Sequence, residues 1–120
     1  MSSIDTIERI KRQIAQNSVL LYMKGTPDFP MCGFSGRVVQ ILESLNAQYA
    51  YVNILENSDI RAALPQYAKW PTFPQLYIEG ELMGGCDIVS ELQQKGELKP
   101  KLAAVGAISD KRVEFAIATE

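Results

Sequence analysis

The sequence predicts an α/β domain in which a central mixed sheet of four strands is flanked by helices on both faces. Segments with apolar residues at helical spacing alternate with short apolar or β-prone segments, in the order αβαβαββα. A helix separates the first two strands, so we expect them to be parallel through a right-handed crossover, whereas a tight turn joins the last two strands into a hairpin. The 120 residues fit a single domain.

The first helix and the first strand precede a loop. Four isoleucines at helical spacing predict the helix: Ile4, Ile7, Ile10 and Ile14. Asp5 with Glu8 resembles a capping box at its start, and the helix is expected to end near Asn17. The nearly continuous apolar run from Val19 to Met23 is typical of a strand that is buried on both faces. Residues 25–30 are rich in loop formers.

The second helix, the second strand and the third helix follow in turn. A helical stripe between residues 33 and 46 predicts the second helix: Val38, Leu42 and Leu45. Residues 49–55 are β-prone and predict the second strand. Asn57 and Ser58 can cap a third helix, which Pro65 should shorten or bend.

A hairpin and a final helix complete the predicted domain. Residues 75–78 and 81–83 flank Glu79-Gly80, residue types that suit a two-residue turn. Asp87 can cap the final helix, and Gly96 would close it.

The domain is expected to span residues 1–105, because no internal repeat and no linker interrupts it. Residues 106–120 have no clear period. Three alternatives stay open for this C-terminal tail: an extension of the final helix, contact with a partner, or a flexible segment.

Charge and hydropathy exclude two classes of partner. The net charge is −2 at pH 7 and no run of Lys and Arg occurs, so the chain offers no basic surface to nucleic acid. No apolar stretch approaches the ~18 residues of a membrane span. The segment from Met1 to Gln13 lacks the basic region and the long apolar run of a signal peptide. We therefore expect a soluble, cytoplasmic protein.

Two cysteines and no histidine narrow the possible chemistry. A Ser-His-Asp or Cys-His catalytic pair cannot form within the chain, and a zinc site built from histidines is excluded as well. Two thiols could form one disulfide, but they are not the dense framework of a small secreted domain, so a reducing setting suits the sequence better. Catalysis or metal binding must use a thiolate, a carboxylate or a group taken from solution.

Cys32 lies between a loop and the start of the second predicted helix. Free backbone N–H groups and the helix dipole favour a negative charge at that place, so they stabilise a thiolate. Lys24, at the end of the first strand, can add a positive charge nearby. Such a thiol is a nucleophile or a metal ligand. The alternative is a buried structural cysteine, which the neighbouring Pro30, Gly33 and Ser35 disfavour.

Four motifs in register carry a resemblance to a known family. Cys32-Gly33-Phe34-Ser35 reads CGFS, the signature of monothiol glutaredoxins. Lys24-Gly25-Thr26-Pro27 precedes it, while Trp70-Pro71-Thr72-Phe73-Pro74 and Gly84-Gly85-Cys86-Asp87 follow in the expected order. The match covers about residues 5–100 and resembles the single-domain bacterial type. The resemblance implies a thioredoxin-like fold, which agrees with the element order above.

The resemblance also implies a glutathione site. Cys32 would be the reactive thiol, and Lys24 with Arg61 would bind the glycine carboxylate of glutathione. Thr72-Phe73-Pro74 would form a loop with a cis proline, in which the residue before the proline pairs with the glutathione backbone. Cys86 and Asp87 would meet the γ-glutamyl end, where a helix N-terminus suits a carboxylate and an aspartate suits an ammonium. Other motif positions would support the site: Gly33, Phe34, Ser35, Gly84 and Gly85.

Several of these residues have simpler interpretations. Lys24 at a strand end can be a solvated charge, and Asp87 can be an N-cap only. Pro74 can be trans, because cis is the minority form of X-Pro bonds. Trp70 suits packing better than recognition. Cys86 can be a buried core thiol or an occasional disulfide partner.

Ser35 occupies the position of the second thiol of a Cys-x-x-Cys site. A serine cannot attack a mixed disulfide, so efficient dithiol reduction is not expected. Glutathione-dependent exchange through Cys32 alone remains open, as a weak oxidoreductase activity.

The resemblance implies a cluster carrier. A [2Fe-2S] cluster commonly takes four thiolate ligands, and two Cys32 thiolates with two glutathione molecules supply four. The family uses this glutathione-bridged homodimer to deliver clusters to iron-sulfur acceptor proteins, often with BolA-like partners. Two alternatives are the monothiol oxidoreductase and a redox or iron sensor in which the cluster controls partner binding.

Overall fold

The computed structural model describes residues 3–108 and 115–118. The helices are α1 (Ser3–Gln16), α2 (Gly33–Ser44), α3 (Ser58–Ala68), α4 (Cys86–Gln94) and α5 (Leu98–Ala104). The strands are β1 (Val19–Met23), β2 (Tyr49–Asn53), β3 (Gln75–Ile78), β4 (Glu81–Gly84) and β5 (Phe115–Ile117). A short 3-10 turn (Ile54–Glu56) follows β2. The strands form one mixed sheet in the order β4-β3-β1-β2-β5.

Strand β1 lies at the centre of the sheet. It is parallel to β2, with Leu20 opposite Ala50, and antiparallel to β3, with Leu21 opposite Leu76. The parallel pairing confirms the crossover that the helix between β1 and β2 predicts. All five side chains of β1 are buried, as expected for a strand that is covered on both faces.

Two hydrophobic clusters cover the two faces of the sheet. Leu21 points to the cluster formed with α2, α4 and α5, whereas Leu20 points to the cluster formed with α1 and α3. Adjacent residues reach opposite clusters because side chains alternate along a strand. Ile10 from α1 and Ile60 from α3 are fully buried on the second face. The α/β class with helices on both faces is therefore confirmed.

The β3–β4 hairpin forms where the residue types predict it. Glu79 and Gly80 both have positive φ, at 50° and 79°. Positive φ at both central positions is the geometry of a type I′ turn, which matches the twist of the flanking strands. Gly96 also has positive φ and follows the end of α4, as predicted for the residue that closes this helix.

The sheet has a fifth strand, so the prediction of four strands is wrong by one. β5 lies at the edge and is parallel to β2, with Ala50 opposite Ala116 and Tyr51 opposite Ile117. It belongs to the C-terminal tail, of which residues 109–114 and 119–120 lie outside the described residues. Only three residues form β5, too few to show a period. Helix α5 was also not predicted, and its seven residues cover two turns.

Two residues predicted as helix caps lie inside the first turn of their helices. Helix α1 already includes Asp5 in its first turn, so Asp5 cannot be the capping residue before the helix. Helix α4 begins at Cys86 with Gly85 as N-cap, which makes Asp87 the second helical residue. A carboxylate in the first turn still interacts favourably with the helix dipole.

Helix α3 begins as predicted but continues past Pro65 to Ala68. Asn57 occupies the N-cap position, although its side-chain amide donates to the Asn53 carbonyl at 2.8 Å instead of capping the helix. The helix ends where the Trp70 N–H donates to the Pro65 carbonyl at 3.0 Å, the six-to-one bond of a Schellman motif. The predicted shortening at Pro65 is therefore not seen, because α3 continues for three more residues and ends before Lys69, which has a left-handed backbone with φ 54°.

An ion pair joins α1 to α3. The Arg9 guanidinium contacts both carboxylate oxygens of Asp59, at 2.8 Å and 3.0 Å. The Thr6 hydroxyl donates to the same carboxylate at 3.4 Å. Partial burial opposes ionisation of Asp59, but the Arg9 guanidinium and the backbone N–H of Ile60 hold its pKa below the ordinary value.

No helix within residues 3–108 and 115–118 is long and apolar enough to cross a bilayer.

Replacing Asp59 by Asn should lower the free energy of unfolding by about 1 kcal/mol at pH 7, because it removes the charge that pairs with Arg9. This value is the upper end of the range for ion pairs near the surface. The folded-state pKa lies below the ordinary value of 3.8. The contribution is therefore present above that pH and is lost as the pH falls through the folded-state pKa. Urea unfolding of both proteins from pH 7 to pH 3 measures the difference.

The matched control is Glu91→Gln, which breaks the exposed pair that Glu91 forms with Lys95 on α4. It should leave the urea midpoint unchanged, because both side chains of that pair are more than half exposed. Equal urea midpoints for wild type and Asp59→Asn at pH 7 would contradict the role of the Arg9–Asp59 pair.

Candidate active site

Cys32 is the N-cap of α2. Its backbone is extended, with φ −154° and ψ 135°, and its carbonyl accepts the first helical bond from the Gly36 N–H at 2.9 Å. The side chain is partly buried, and both Cys32 and Cys86 are free thiols. The prediction that Cys32 immediately precedes a helix is confirmed.

The surroundings of Cys32 favour the thiolate. Partial burial raises the pKa of the thiol, but four opposing contributions outweigh it. These are the backbone N–H groups of Ser35 and Phe34, the Lys24 ammonium and the Ser35 hydroxyl, which together hold the pKa of Cys32 below its ordinary value. The N–H groups act at the open end of the helix, where they have no partner within α2.

Ser35 connects the end of β1 to the first turn of α2. Its side chain is fully buried, and its hydroxyl oxygen accepts from the Lys24 N–H at 3.1 Å. Because this bond uses only the oxygen, the hydroxyl hydrogen can be donated to the Cys32 sulfur. The residue in place of a second thiol therefore both anchors the loop and stabilises the thiolate.

The loop between β1 and Cys32 is closed by its own backbone. Thr26 and Phe29 exchange two hydrogen bonds, at 3.0 Å and 3.2 Å, and the Met31 N–H donates to the Lys24 carbonyl at 2.9 Å. Gly25 has φ +94°, and a Cβ there would lie 2.5 Å from the Phe29 carbonyl oxygen. Only glycine therefore fits this position.

A cleft of about 640 Å³ opens beside Cys32. Most of the residues predicted for the site line it: Lys24, Cys32, Phe34, Arg61, Thr72, Phe73, Pro74, Gly85, Cys86 and Asp87. They come from five separate parts of the chain, namely the end of β1, the start of α2, helix α3, the loop before β3 and the start of α4. The fold thus brings the four sequence motifs to one place.

Three predicted supporting residues do not line the cleft. Ser35 is buried behind Cys32. A Cβ on Gly33 would meet nothing within 4 Å, so this glycine lies open to solvent. Gly84 has φ +126°, and a Cβ there would lie 2.8 Å from the Ile88 side chain. Its role is to let the first turn of α4 approach the end of β4.

The structure adds four residues to the cleft: Pro65, Trp70, Pro71 and Ile88. The assignment of Trp70 to packing alone is therefore incomplete, because its side chain also forms part of the wall. Its Nε1 atom is buried and has no hydrogen-bond partner among the described residues. Pro71 and Ile88 are next to predicted site residues in the sequence, and Pro65 follows Arg61 by one helical turn. Trp70 begins the sequence motif that contains Thr72, and its place in that motif was the available signal.

The loop from Trp70 to Pro74 contains a cis peptide bond between Phe73 and Pro74, which confirms the predicted isomer. Beyond the loop, the cleft continues to the first turn of α4. The cleft therefore has two cationic side chains, Lys24 and Arg61, and a carboxylate, that of Asp87. This arrangement suits a small ligand that carries charges of both signs.

The described part of the chain contains no cluster of three or more His, Cys, Asp or Glu side chains that could together hold a metal ion. The thiols that line the cleft are those of Cys32 and Cys86.

Comparison with protein families gives one decisive match. A family model described as glutaredoxin matches residues 19–83, from β1 through Cys32 and the cis-proline loop to β4. The chain belongs to the glutaredoxin family. With Ser35 three positions after Cys32, this glutaredoxin is of the monothiol type, and the resemblance stated above is confirmed.

Relatives at high identity support the assignment. Glutaredoxin 4 of Escherichia coli K12 is 59% identical over 102 residues, which are 85% of this chain and 89% of that protein. Glutaredoxin 4 of Pasteurella multocida is 55% identical over 104 residues, which are 87% of this chain and 95% of that protein.

Solved structures agree with the fold of this glutaredoxin. Reduced apo GrxS14 of poplar has a TM-score of 0.75 at 48% identity, over 88% of this chain and 98% of that chain. A buckwheat glutaredoxin in complex with glutathione has a TM-score of 0.79 at 30% identity, over 89% of this chain and 96% of that chain. The thioredoxin-like fold is thereby confirmed.

Replacing Ser35 by Ala should raise the pKa of the Cys32 thiol, because the variant removes the hydroxyl that stabilises the thiolate. The rate of iodoacetamide alkylation against pH, measured in a Cys86→Ser background so that only Cys32 reacts, reports this pKa. The alkylation profile should move to higher pH.

Ser44→Ala is the control, since Ser44 lies at the other end of α2. Its alkylation profile should match that of the parent protein. If Ser35→Ala gave the parental profile as well, the assignment of the hydroxyl to the thiolate would be wrong.

Proposed function

We propose that this monothiol glutaredoxin binds glutathione in the cleft and uses Cys32 to hold a [2Fe-2S] cluster between two chains for transfer to acceptor proteins. The observation that carries the proposal is that a thiol with a lowered pKa opens onto a cleft with two cations and a carboxylate. The cluster is cargo in this proposal, so the chain provides a temporary ligand and a docking place.

The cleft suits glutathione in size and in charge. Its volume of about 640 Å³ lies within the range of small-molecule sites. At neutral pH glutathione carries two carboxylates and one ammonium. Lys24 and Arg61 match the glycine carboxylate, and the N-terminal turn of α4 matches the γ-glutamyl carboxylate. The ammonium fits the carboxylate of Asp87.

Glutathione in this position directs its thiol towards Cys32. The similarity to the buckwheat protein, solved as a glutathione complex, supports this assignment. The loop that contains Phe73 provides the backbone groups that would pair with the tripeptide, as a strand pairs with its neighbour. Cys86, at the first position of α4, would contact the γ-glutamyl end.

A shared cluster explains why one well-placed thiol per chain is enough. A [2Fe-2S] cluster commonly takes four thiolate ligands. Cys32 from each chain provides two, and one glutathione per chain provides the other two. The lowered pKa of Cys32 favours the thiolate, which is the form of cysteine that binds iron. We propose that the chain forms a homodimer in this state.

The surface around Cys32 suits contact with another protein. Three large apolar side chains are exposed beside it, Phe29 at 75%, Met31 at 69% and Phe34 at 63%. Exposed apolar residues that lie together mark interaction sites. In the proposal this surface first meets the second chain and then BolA-like or acceptor proteins. A reducing compartment such as the cytoplasm keeps the thiols available.

Glutathione-dependent exchange is the second candidate, and the lowered pKa of Cys32 favours it. The Cys32 thiolate would attack the glutathione sulfur of a protein–glutathione disulfide. The protein thiol would leave with a proton from solvent, and Cys32 would carry glutathione. A second glutathione thiolate would then attack this mixed disulfide, which yields glutathione disulfide and free Cys32.

Anaerobic reconstitution with iron, sulfide and glutathione tests the carrier function. We expect a [2Fe-2S] absorption spectrum on a dimer, only when glutathione is present, because the chain does not supply four thiolates at one place. Visible absorption and molecular mass are measured together. Cys32→Ser should abolish the spectrum. The matched variant Cys86→Ser should retain it, because serine keeps the size of the side chain and the backbone N–H at the start of α4 and removes only a thiol that is not a cluster ligand in the proposal.

Two outcomes would contradict this assignment. A cluster in the Cys32→Ser variant would place the ligand elsewhere. A colourless monomer that still exchanges glutathione would favour the oxidoreductase.

Replacing Ser35 by Cys tests the account of the missing second thiol. The new thiol should attack a mixed disulfide on Cys32, so we expect reduction of a dithiol-dependent substrate to rise. Turnover of such a substrate with glutathione and its reductase measures this effect. Unchanged turnover would show that lack of a second thiol is not what limits the wild-type protein.

A further inference from the structure

Gln75 follows the cis proline directly and begins β3. Its side chain is fully buried. The side-chain Nε2 donates to the Trp70 carbonyl at 3.0 Å and to the Thr72 carbonyl at 3.2 Å. The side-chain Oε1 accepts from the Tyr77 hydroxyl at 2.9 Å. The amide thus bridges the interior of the domain and the loop that forms one wall of the cleft.

Every polar atom of this amide has a partner. A glutamine side chain has two N–H donors on one atom and a carbonyl acceptor on the other. Two backbone carbonyls face the nitrogen, and a carbonyl can only accept, so the amide cannot be flipped without losing both bonds. The orientation of the Gln75 amide is therefore set by its partners.

The Tyr77 hydroxyl is itself held in place. Burial raises the pKa of Tyr77 to about 12, so the hydroxyl keeps its proton and donates at neutral pH. The Tyr77 ring packs edge-on against the Tyr22 ring, with centroids 5.7 Å apart. The Tyr22 hydroxyl donates to Gln13 Oε1 in α1 at 2.8 Å. The two buried pairs, Tyr22 with Gln13 and Tyr77 with Gln75, are thus joined through their tyrosine rings. Gln75 is the member of this chain of contacts that lies next to the cleft.

The loop needs this support because of its composition. Pro71 and Pro74 have no N–H group, so the loop has two fewer backbone donors with which to hold its own carbonyls. In the part of the chain that the structure describes, the carbonyls of Trp70 and Thr72 receive hydrogen bonds from the Gln75 side chain. These two carbonyls flank the start of the segment whose backbone would pair with glutathione.

We propose that Gln75 is a positioning residue for glutathione, because its buried amide holds the carbonyls of Trp70 and Thr72 and so fixes the backbone of the cis-proline loop. This inference rests on the proposed function, in which that loop pairs with the tripeptide. Gln75 is fully buried behind the loop, so it acts through the loop without touching the ligand. A loop fixed before binding loses less conformational entropy when the ligand binds.

Gln75→Leu tests the proposal, and Gln13→Leu is the matched control. Both replace a buried glutamine that pairs with a buried tyrosine hydroxyl, but Gln13 lies in α1 and away from the cleft. Binding is measured by titrating reduced glutathione into the reduced full chain, by calorimetry and by the fluorescence of Trp70, the one tryptophan of the chain. Urea unfolding of both variants shows that each is folded.

We expect Gln75→Leu to weaken glutathione binding about tenfold, a change of one decade in Kd. Gln13→Leu should bind as the wild type does. In exchange turnover, Gln75→Leu should raise KM for glutathione and leave kcat unchanged, because Cys32 and Ser35 are intact. The alkylation rate of Cys32 should likewise match that of the wild type.

Two further variants keep the test valid if Gln75→Leu fails to fold. Gln75→Glu keeps the shape and the acceptor for Tyr77 but replaces two amide donors with at most one carboxyl proton. At least one of the two loop carbonyls therefore loses its partner, and binding should weaken. Tyr77→Phe removes only the hydroxyl that orients the amide, and it should weaken binding by a smaller factor.

Three results would overturn the proposal. If the wild type binds glutathione and both Gln75→Leu and Gln75→Glu bind it with the same affinity, Gln75 has no positioning role. The proposed function would then remain intact. If Gln13→Leu weakened glutathione binding as much as Gln75→Leu does, the effect would come from the loss of any buried amide and not from the contact with the loop. A wild type that does not bind glutathione at all would reject the proposed function together with the inference.

Discussion

Strand β1 pairs with β2 on one side and with β3 on the other, and its five side chains are all buried. A strand in this position must be covered on both faces, which requires helices on both sides of the sheet. Because β3 runs antiparallel to β1, Gln75 at the start of β3 lies opposite Tyr22 near the end of β1. This register brings Lys24, which follows β1, and the cis-proline loop, which precedes β3, to the same end of these two strands, and the cleft forms there.

The chemistry at this end of the sheet depends on one helix N-terminus and one serine. Cys32 caps α2, so unpaired N–H groups of the first turn stabilise its thiolate. Ser35 accepts from the Lys24 N–H and offers its own hydrogen to the thiolate. A cysteine at this position would provide the resolving thiol of a dithiol enzyme but only a weak hydrogen-bond donor and acceptor. The serine therefore suits a protein that keeps one thiolate available.

Features that depend on neighbours in the chain could be predicted well. Glu79-Gly80 predicts its turn because positive φ is a property of the residues themselves. Cys32 could be placed before a helix because the loop-forming residues 25–30 precede it and the apolar stripe of α2, which starts at Val38, follows it. Strand β5 and helix α5 could not be predicted, because three and seven residues are too short for a period to show.

The amino-acid sequence by itself determined the α/β class, the turn, the position of the thiol and the motifs that carry the family, since each of these depends on local residue types or spacing. Only the tertiary structure decided that Trp70 forms part of the cleft wall, that Ser35 lies behind Cys32, and that the Gln75 amide supports the loop. These roles depend on contacts between segments that are distant in the chain or on which way a buried side chain turns. A periodic pattern in the sequence encodes neither such contacts nor the direction of a buried side chain. Both are therefore decided only when the strands and helices pack together.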